Sequence, residues 1–318
     1  MDLLALIRTK VEALPEGPHR PGLNSVYGHI EIAYKRLLQG EKDSDDSFFA
    51  DVIYRTNQAF EGGIKEAYRV LAGKDPHRMR PYDIEQYLEN EEVFPDRVLG
   101  QFKNYRSDWR NASTHDHNLY FGKDEAFLAI VSVSAFVKML VDQVSQELAK
   151  IAARDEAVRS GIVADSSKQT KFIDKITSAF QAFSRHYSAS SPNIPIETET
   201  QLIGAISGFL SLSAPDLQIT TGRVFRADRP YYTDMVITRG PEVAVVELKR
   251  GQHQALVDQG IAQLAEYSVA ARAQNAILFL YNTKATDYEV SIPELPPIGV
   301  DMRVVRPRIT SGTTAPSS

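Results

Sequence analysis

Val243-Ala244-Val245-Val246-Glu247-Leu248-Lys249 is an apolar, β-branched run that ends in two charges two positions apart. It reads as a strand, and because strand side chains alternate faces, Glu247 and Lys249 project the same way. A carboxylate and an amine emerging together from a buried strand are costly unless paired or metal-bound. Upstream, Asp234 opens a second strand, Asp234-Met235-Val236-Ile237, and Arg239-Gly240-Pro241 makes a tight turn between the two. Hairpin pairing brings Asp234 near Glu247. Two converging carboxylates suit a hard cation such as Mg²⁺, held through oxygen. Such an ion activates water and stabilises charge on a phosphate, while Lys249 orients the nucleophile or neutralises charge.

Outward from this pair, Gln218 to Phe225, Asp234 to Thr238, Val243 to Lys249 and Ala276 to Tyr281 are short, β-branched and bounded by turn residues. A helix from about Gln254 to Gln274 joins the last two as a βαβ unit. The pattern before them differs. From Asn24 to Lys150 apolar residues recur at three and four, as in Ile30, Ala33, Tyr34 and Leu37, and in Phe49, Ile53, Phe60, Ile64, Tyr68 and Leu71. Pro81 opens a short helix, and Phe127 to Leu148 is a long apolar one. Arg154 to Gln169 reads as a linker, Lys171 to Tyr187 as a helix broken by Ser188-Ala189-Ser190-Ser191-Pro192, and the Ser/Thr/Gly-rich tail after Pro307 as disordered. A multidomain chain follows: an all-α helical bundle at 1–153, a helical linker at 154–195, an α/β domain with a central mixed sheet at 196–306, and a tail at 307–318.

Asp234 followed by Glu247-Leu248-Lys249 resembles the PD-(D/E)xK restriction-endonuclease-like family, over roughly Ile196 to Val304. Thr233 stands where the family has a proline, a loosely kept position. Gln259, Gln263 and Tyr267 share one face of the helix after the motif strand. Gln263-Leu264-Ala265-Glu266-Tyr267 looks like the QxxxY element of the RecB-like and resolvase-like branches, which contacts the substrate backbone. Glu199 precedes Leu202 and Ile203 by three and four, so it is expected to face the sheet from the first helix, where the family often adds an acid. The resemblance implies a metal-dependent nuclease with Asp234, Glu247 and Lys249 catalytic, Asp234, Glu247 and Glu199 on Mg²⁺ (or Mn²⁺), and Gln259, Gln263 and Tyr267 on substrate. The alternative is a structural α/β domain with an incidental Glu-x-Lys, and a first-turn Glu199 that merely suits the helix dipole.

A second constellation, Trp109-Arg110-Asn111-Ala112-Ser113-Thr114-His115, precedes the long apolar helix. Histidine suits acid–base work near neutral pH, and arginine stabilises phosphate charge. Arg110, Asn111 and His115 resemble the RNxxxH motif of the HEPN family, over about Asn24 to Lys150. That resemblance implies metal-independent RNA cleavage, the 2′-hydroxyl attacking its own phosphate, at a cleft shared by two copies of the chain. Competing readings stay open. Arg110 pairs with Asp108 or Asp116, His115 caps the next helix, His115-Asp116-His117 binds a metal, or the domain only dimerises or binds RNA. Glu61 is either a helix-borne acid near this cleft or a solvated glutamate.

The 318 residues allow about two domains, and 43% apolar residues supply real cores. The absence of cysteine excludes disulfides and thiolate metal sites. The N-terminus carries an early acid and no long apolar core, against a signal peptide. The apolar run Ala126 to Val141 contains Lys138 and is too short to span a bilayer, so a cytoplasmic protein without a membrane is expected. A net charge of −5 disfavours a protein that coats nucleic acid, although Arg223, Arg226, Arg229, Arg239, Lys249 and Arg250 cluster around the motif. The expected partners are nucleic acid and a second copy bound through the N-terminal helices. Two nuclease-type modules in one chain suggest a prokaryotic defence or toxin-type effector, by family analogy.

Overall fold

The computed structural model describes residues 2–111, 121–162, 171–187, 196–251, 253–285, 287–294 and 299–308. The chain divides into two compact units, Met1–Leu148 and Ala149–Ser318. The first holds α1 (Leu3–Glu12), α2 (Arg20–Asp43), α3 (Ser47–Val70), α4 (Pro81–Asn90), α5 (Asp96–Tyr105), a π-helical turn (Arg106–Asn111) and most of α6 (Lys123–Arg159). Its core follows the helical spacing: Phe49, Ile53, Phe60, Ile64 and Tyr68 of α3 are all buried. The Phe60 ring lies 4.8 Å from Tyr105 and 5.2 Å from Phe136, which joins α3, α5 and α6 through aromatic packing. Tyr34 departs from the expected stripe and is 40% exposed, leaving Ile30, Ala33 and Leu37 as the inward face of α2. The apolar run Ala126 to Val141 sits inside the 37 residues of α6, which is long and apolar enough to cross a membrane by length and composition. Half of its most apolar stretch is buried in the protein, including Val133, Phe136, Val137 and Leu140.

The second unit begins with the end of α6, followed by α7 (Phe172–His186) and α8 (Glu199–Ser213). Then come β1 (Gln218–Thr221), β2 (Val224–Arg226), β3 (Pro230–Tyr232), β4 (Met235–Arg239), β5 (Glu242–Arg250), α9 (Gln254–Ala271), β6 (Asn275–Tyr281), β7 (Tyr288–Ser291) and β8 (Asp301–Pro307). Six strands form one mixed sheet in the order β1-β4-β5-β6-β8-β7, and β2 and β3 form a separate hairpin. β4 and β5 are antiparallel, whereas β5, β6 and β8 run parallel, with α9 as the crossover from β5 to β6. Strand alternation assigns each face. Ala244, Val246 and Leu248 pack with Phe180, Phe183 and Phe209 of α7 and α8, and Val245 packs with Val257 and Leu264 of α9. The result is a three-layer α/β/α unit, as expected for a sheet buried on both sides.

Several boundaries differ from the sequence reading. The expected helical linker includes α7, whose Phe172, Ile176, Phe180 and Phe183 are core residues of the second unit. The unit boundary falls between Leu148 and Ala149, and like the expected boundary after residue 153 it lies within α6. Gly222, at a φ of +63°, splits the expected strand Gln218 to Phe225 into β1 and β2, since a left-handed residue cannot continue a ladder. β7 and β8 complete the sheet, and Pro307 is the last residue of β8. The break at Ser188 to Pro192 and the tail beyond Arg308 lie outside the described residues.

One close approach holds α8 against the end of α6. A Cβ on Gly208 would press on the backbone carbonyl of Lys150, which has no flexible end to move aside. Gly28, within α2, faces open space. Gly208→Ala should therefore destabilise the fold by about 1–3 kcal/mol, while Gly28→Ala should stabilise it by about 0.5–1 kcal/mol. Urea denaturation of the two variants measures both, and shifts of the same sign would contradict this packing.

Candidate active site

The β4–β5 hairpin decides where the acids stand. Its closing pair is Arg239 with Glu242, reinforced by a 2.9 Å ion pair, and Gly240 takes a φ of +58° in the two-residue turn. From there the register runs back to Met235 opposite Val246. One step further, Asp234 comes opposite Glu247. The approach is tied by a backbone bond, the Leu248 N–H donating to Asp234 Oδ2 at 2.8 Å. The same parity puts both acids on the α9 side of the sheet, away from the layer of α7 and α8. Lys249 projects with Glu247 as strand alternation requires, its Nζ donating to Glu247 Oε1 at 2.5 Å. Asp234, Glu247 and Lys249 therefore meet at the carboxyl end of β5.

The pair is electrostatically unsatisfied. Glu247 is buried, with 3% of its surface exposed, and its Oε2 accepts no hydrogen bond among the described residues. Burial raises the carboxyl of Glu247 above its ordinary range, against the pull of Lys249. Burial also raises Asp234, and the charge of Glu247 pushes it further, to about 8. One lysine is not enough countercharge for two acids. An orphaned carboxylate oxygen, a second acid across the hairpin and an all-oxygen donor set fit an oxygen-preferring divalent cation. Glu199, expected to face the sheet, is exposed in the first turn of α8, just past the Thr198 cap, and its charge raises both acids. It does not complete a cage: among the described residues no three Asp, Glu or His side chains are grouped to hold a metal ion.

The α9 residues divide. Tyr267 is half-buried, and its hydroxyl is raised to about 12 by burial and by the charges of Glu247 and Asp234, so it faces the acids. Gln263, one turn earlier, is half-buried with an Oε1 that accepts no hydrogen bond among the described residues. Gln259, a further turn away, is exposed, so the three-residue face narrows to two. Sequence reading missed the Leu248 N–H, and noted Thr233 only as the residue in place of a proline. Thr233 is buried, its Oγ1 donating to the Arg223 carbonyl at 3.2 Å. A backbone donor leaves no mark on composition.

In the first unit, Arg110 and Asn111 end the π-helical turn, and His115 lies outside the described residues. Arg110 does not pair with Asp108, which accepts from Ser107 at 2.7 Å. It stands 3.6 Å from Glu85 of α4, a buried acid that sequence reading missed. The signal was an acid next to Ile84 and three before Leu88, on the inward face of α4. Burial raises the carboxyl of Glu85, Arg110 and Arg106 oppose that, and Glu61 raises it further. Glu61 is thus half-buried beside this cluster rather than solvated.

No family model, curated protein or solved structure matches this chain. The two sites stand on their own geometry.

A carboxyl raised on folding binds its proton more tightly in the native than in the unfolded chain, so stability falls as pH rises through that interval. For Asp234 the interval runs from the unfolded value of about 3.9 to about 8. In EDTA, Asp234→Asn should gain stability over the wild type progressively from pH 5 to pH 9. Thermal denaturation across that range measures the difference, and parallel curves would contradict the strain assigned to the pair.

Proposed function

We propose that the chain is a nuclease whose second unit carries a Mg²⁺- or Mn²⁺-dependent phosphodiesterase site acting on DNA. The observation that supports it most is the Asp234–Glu247 pair, with the orphaned Glu247 Oε2 and Lys249 already on the other oxygen. Glu247 Oε2 and Asp234 are the groups that would hold the cation. When bound, it supplies an activated water and neutralises phosphate charge. Lys249, fixed by Glu247, presents its ammonium where a phosphoryl oxygen or the nucleophile is oriented. Tyr267 and Gln263 line the α9 side as contacts for the substrate backbone. This is the site of the PD-(D/E)xK resemblance, residue for residue, apart from Thr233.

For the first unit we propose a HEPN-type RNase that works as a homodimer, with Arg110, Asn111 and His115 of both copies in one cleft. Exposed apolar side chains support the pairing: Tyr34 and Leu38 on α2, and Phe127, Leu128 and Val131 on α6. Lys123 and Glu41 join the two helices at 2.8 Å, so these residues border one patch. A defence or toxin-type effector in the cytoplasm is the setting that two such modules suggest. The second reading makes the first unit a non-catalytic dimerisation or sensing module, and the second unit a nucleic-acid-binding regulator. The Glu85–Arg110 pair favours it, because it gives the motif arginine a structural role.

Cleavage separates the two readings. With Mg²⁺ and a DNA substrate, Asp234→Ala or Glu247→Ala should abolish activity, since one carboxylate cannot hold a strongly hydrated ion in register. Lys249→Ala should lower the rate more than the metal affinity. His115→Ala should spare that activity and remove RNA cleavage that persists in EDTA. Such cleavage should fade as pH falls through histidine's ordinary value of about 6.5. Loss of the metal-dependent activity in His115→Ala would mean coupled sites. Absence of any cleavage with Mg²⁺ or Mn²⁺ would leave the regulator reading.

A further inference from the structure

The β2–β3 hairpin stands outside the main sheet and has a job there. Its register pairs Val224 with Tyr232, Phe225 with Tyr231 and Arg226 with Pro230. Cross-strand partners share a face, so Phe225 and Tyr231 look one way, while Tyr232 and Arg226 look the other. The first face is anchored on α9. Phe225 packs into the α9 core, and the Tyr231 ring meets Tyr267 edge-on at 6.1 Å. Arg229 lies 5.1 Å from the Tyr231 ring and forms an ion pair with Glu266. The second face is turned outward: Tyr232 is 48% exposed and Arg226 is exposed.

This hairpin grows out of the acid site. The Gly222 N–H donates to the Asp234 carbonyl at 3.2 Å, and the Thr233 N–H donates to the Arg223 carbonyl at 3.1 Å. Tyr232 precedes Asp234 by two residues. From Gly222 to Thr233 the segment carries Arg223, Arg226 and Arg229 against one acid, Asp228, whose carboxylate accepts from the Tyr231 hydroxyl at 2.7 Å. With Arg229 paired to Glu266, Arg223 and Arg226 still outnumber Asp228, so in a chain of net charge −5 the segment is a locally basic strip, with an exposed ring in it.

We propose that the outward face of this hairpin binds a single-stranded nucleic acid on its way to the acid site, with Tyr232 stacking on a base and Arg226 on a phosphate. The inference rests on the nuclease reading of the acid pair and names the form of its substrate. Charge complementarity selects a polyanion. The aromatic face selects unpaired bases, because a stacked duplex has no open base face to offer while a single strand does. The inner face supplies rigidity: Phe225, Tyr231 and Arg229 dock on α9, so the strand that carries Tyr232 is fixed before binding.

Binding in EDTA tests the contact without cleavage. The full chain is titrated into a fluorescein-labelled 20-nucleotide single-stranded DNA and into the same sequence as a duplex, and anisotropy is followed at several salt concentrations. The single strand should bind more tightly. Tyr232→Ala should weaken it by about 5- to 150-fold, and Tyr232→Phe, which keeps the ring, should restore it. Arg226→Ala should reduce the slope of log affinity against log salt by about 0.7. Unchanged thermal midpoints would exclude a folding defect. Equal binding of single strand and duplex, or wild-type affinity in both Tyr232→Ala and Arg226→Ala, overturns the proposal even if the protein cuts DNA. The expected variant effects in a protein that cuts nothing would leave the strand contact standing and overturn the nuclease reading instead.

Discussion

Two carboxyl groups face each other across the β4–β5 hairpin, and the surrounding structure is arranged to keep them there. Asp234 and Glu247 each have an ionised form disfavoured by burial, and the nearest cation, Lys249, answers one oxygen of one of them. Once both are ionised, as pH rises past about 8, they would separate if free to move. Here they are prevented by the hairpin register, by the Leu248 N–H on Asp234 and by the parallel pairing of β5 with β6 beneath them. The cost is local and the restraint is distributed, as expected where a fold is spent on a site rather than on its own stability.

That constraint explains why the acid site was legible and its surroundings were not. Strand alternation and a two-residue turn are short-range rules, and they sufficed to bring Asp234, Glu247 and Lys249 together from sequence. The mixed sheet and the helical first unit followed from periodicity in the same way. What periodicity does not encode is a partner distant in the chain. Glu85 meets Arg110 from another helix, and the hairpin finds Glu266 and Tyr267 from across the crossover. Glu199 was placed by helical phase alone: it stands exposed in the first turn behind the Thr198 cap, with its charge acting on both acids. β7 and β8 went unread because each is short or interrupted by charge, with Glu289, Arg303 and Arg306 facing partly outward. α7 was read as linker because its neighbours in sequence are polar, although its own face is core.

The two candidate sites solve the same problem with different countercharge. Each contains a buried acid that burial raises above its ordinary range. In the first unit, Glu85 has two cations of the chain beside it, Arg110 and Arg106, although its Oε1 too accepts no hydrogen bond among the described residues. In the second, Glu247 keeps an oxygen that no described side chain answers. A resident guanidinium makes a permanent pair, and such a pair holds a turn in place whether or not chemistry follows.

The difference bears on what each site asks of a substrate. At the acid pair, phosphate cannot approach two carboxylates and one lysine unless further positive charge arrives, and the groups nearby that could supply it are few. Lys249 is already engaged, and Arg239 is held by Glu242 at the far end of the hairpin. Arg229 of the β2–β3 segment is likewise held by Glu266, but Arg223 and Arg226 lie beside the site on a support fixed by aromatic packing. A polyanion can therefore be drawn to the strip before it meets the carboxylates. Recruitment and chemistry occupy separate surfaces, joined by the single residue between Tyr232 and Asp234, Thr233, and that separation lets an acidic chain handle an acidic substrate.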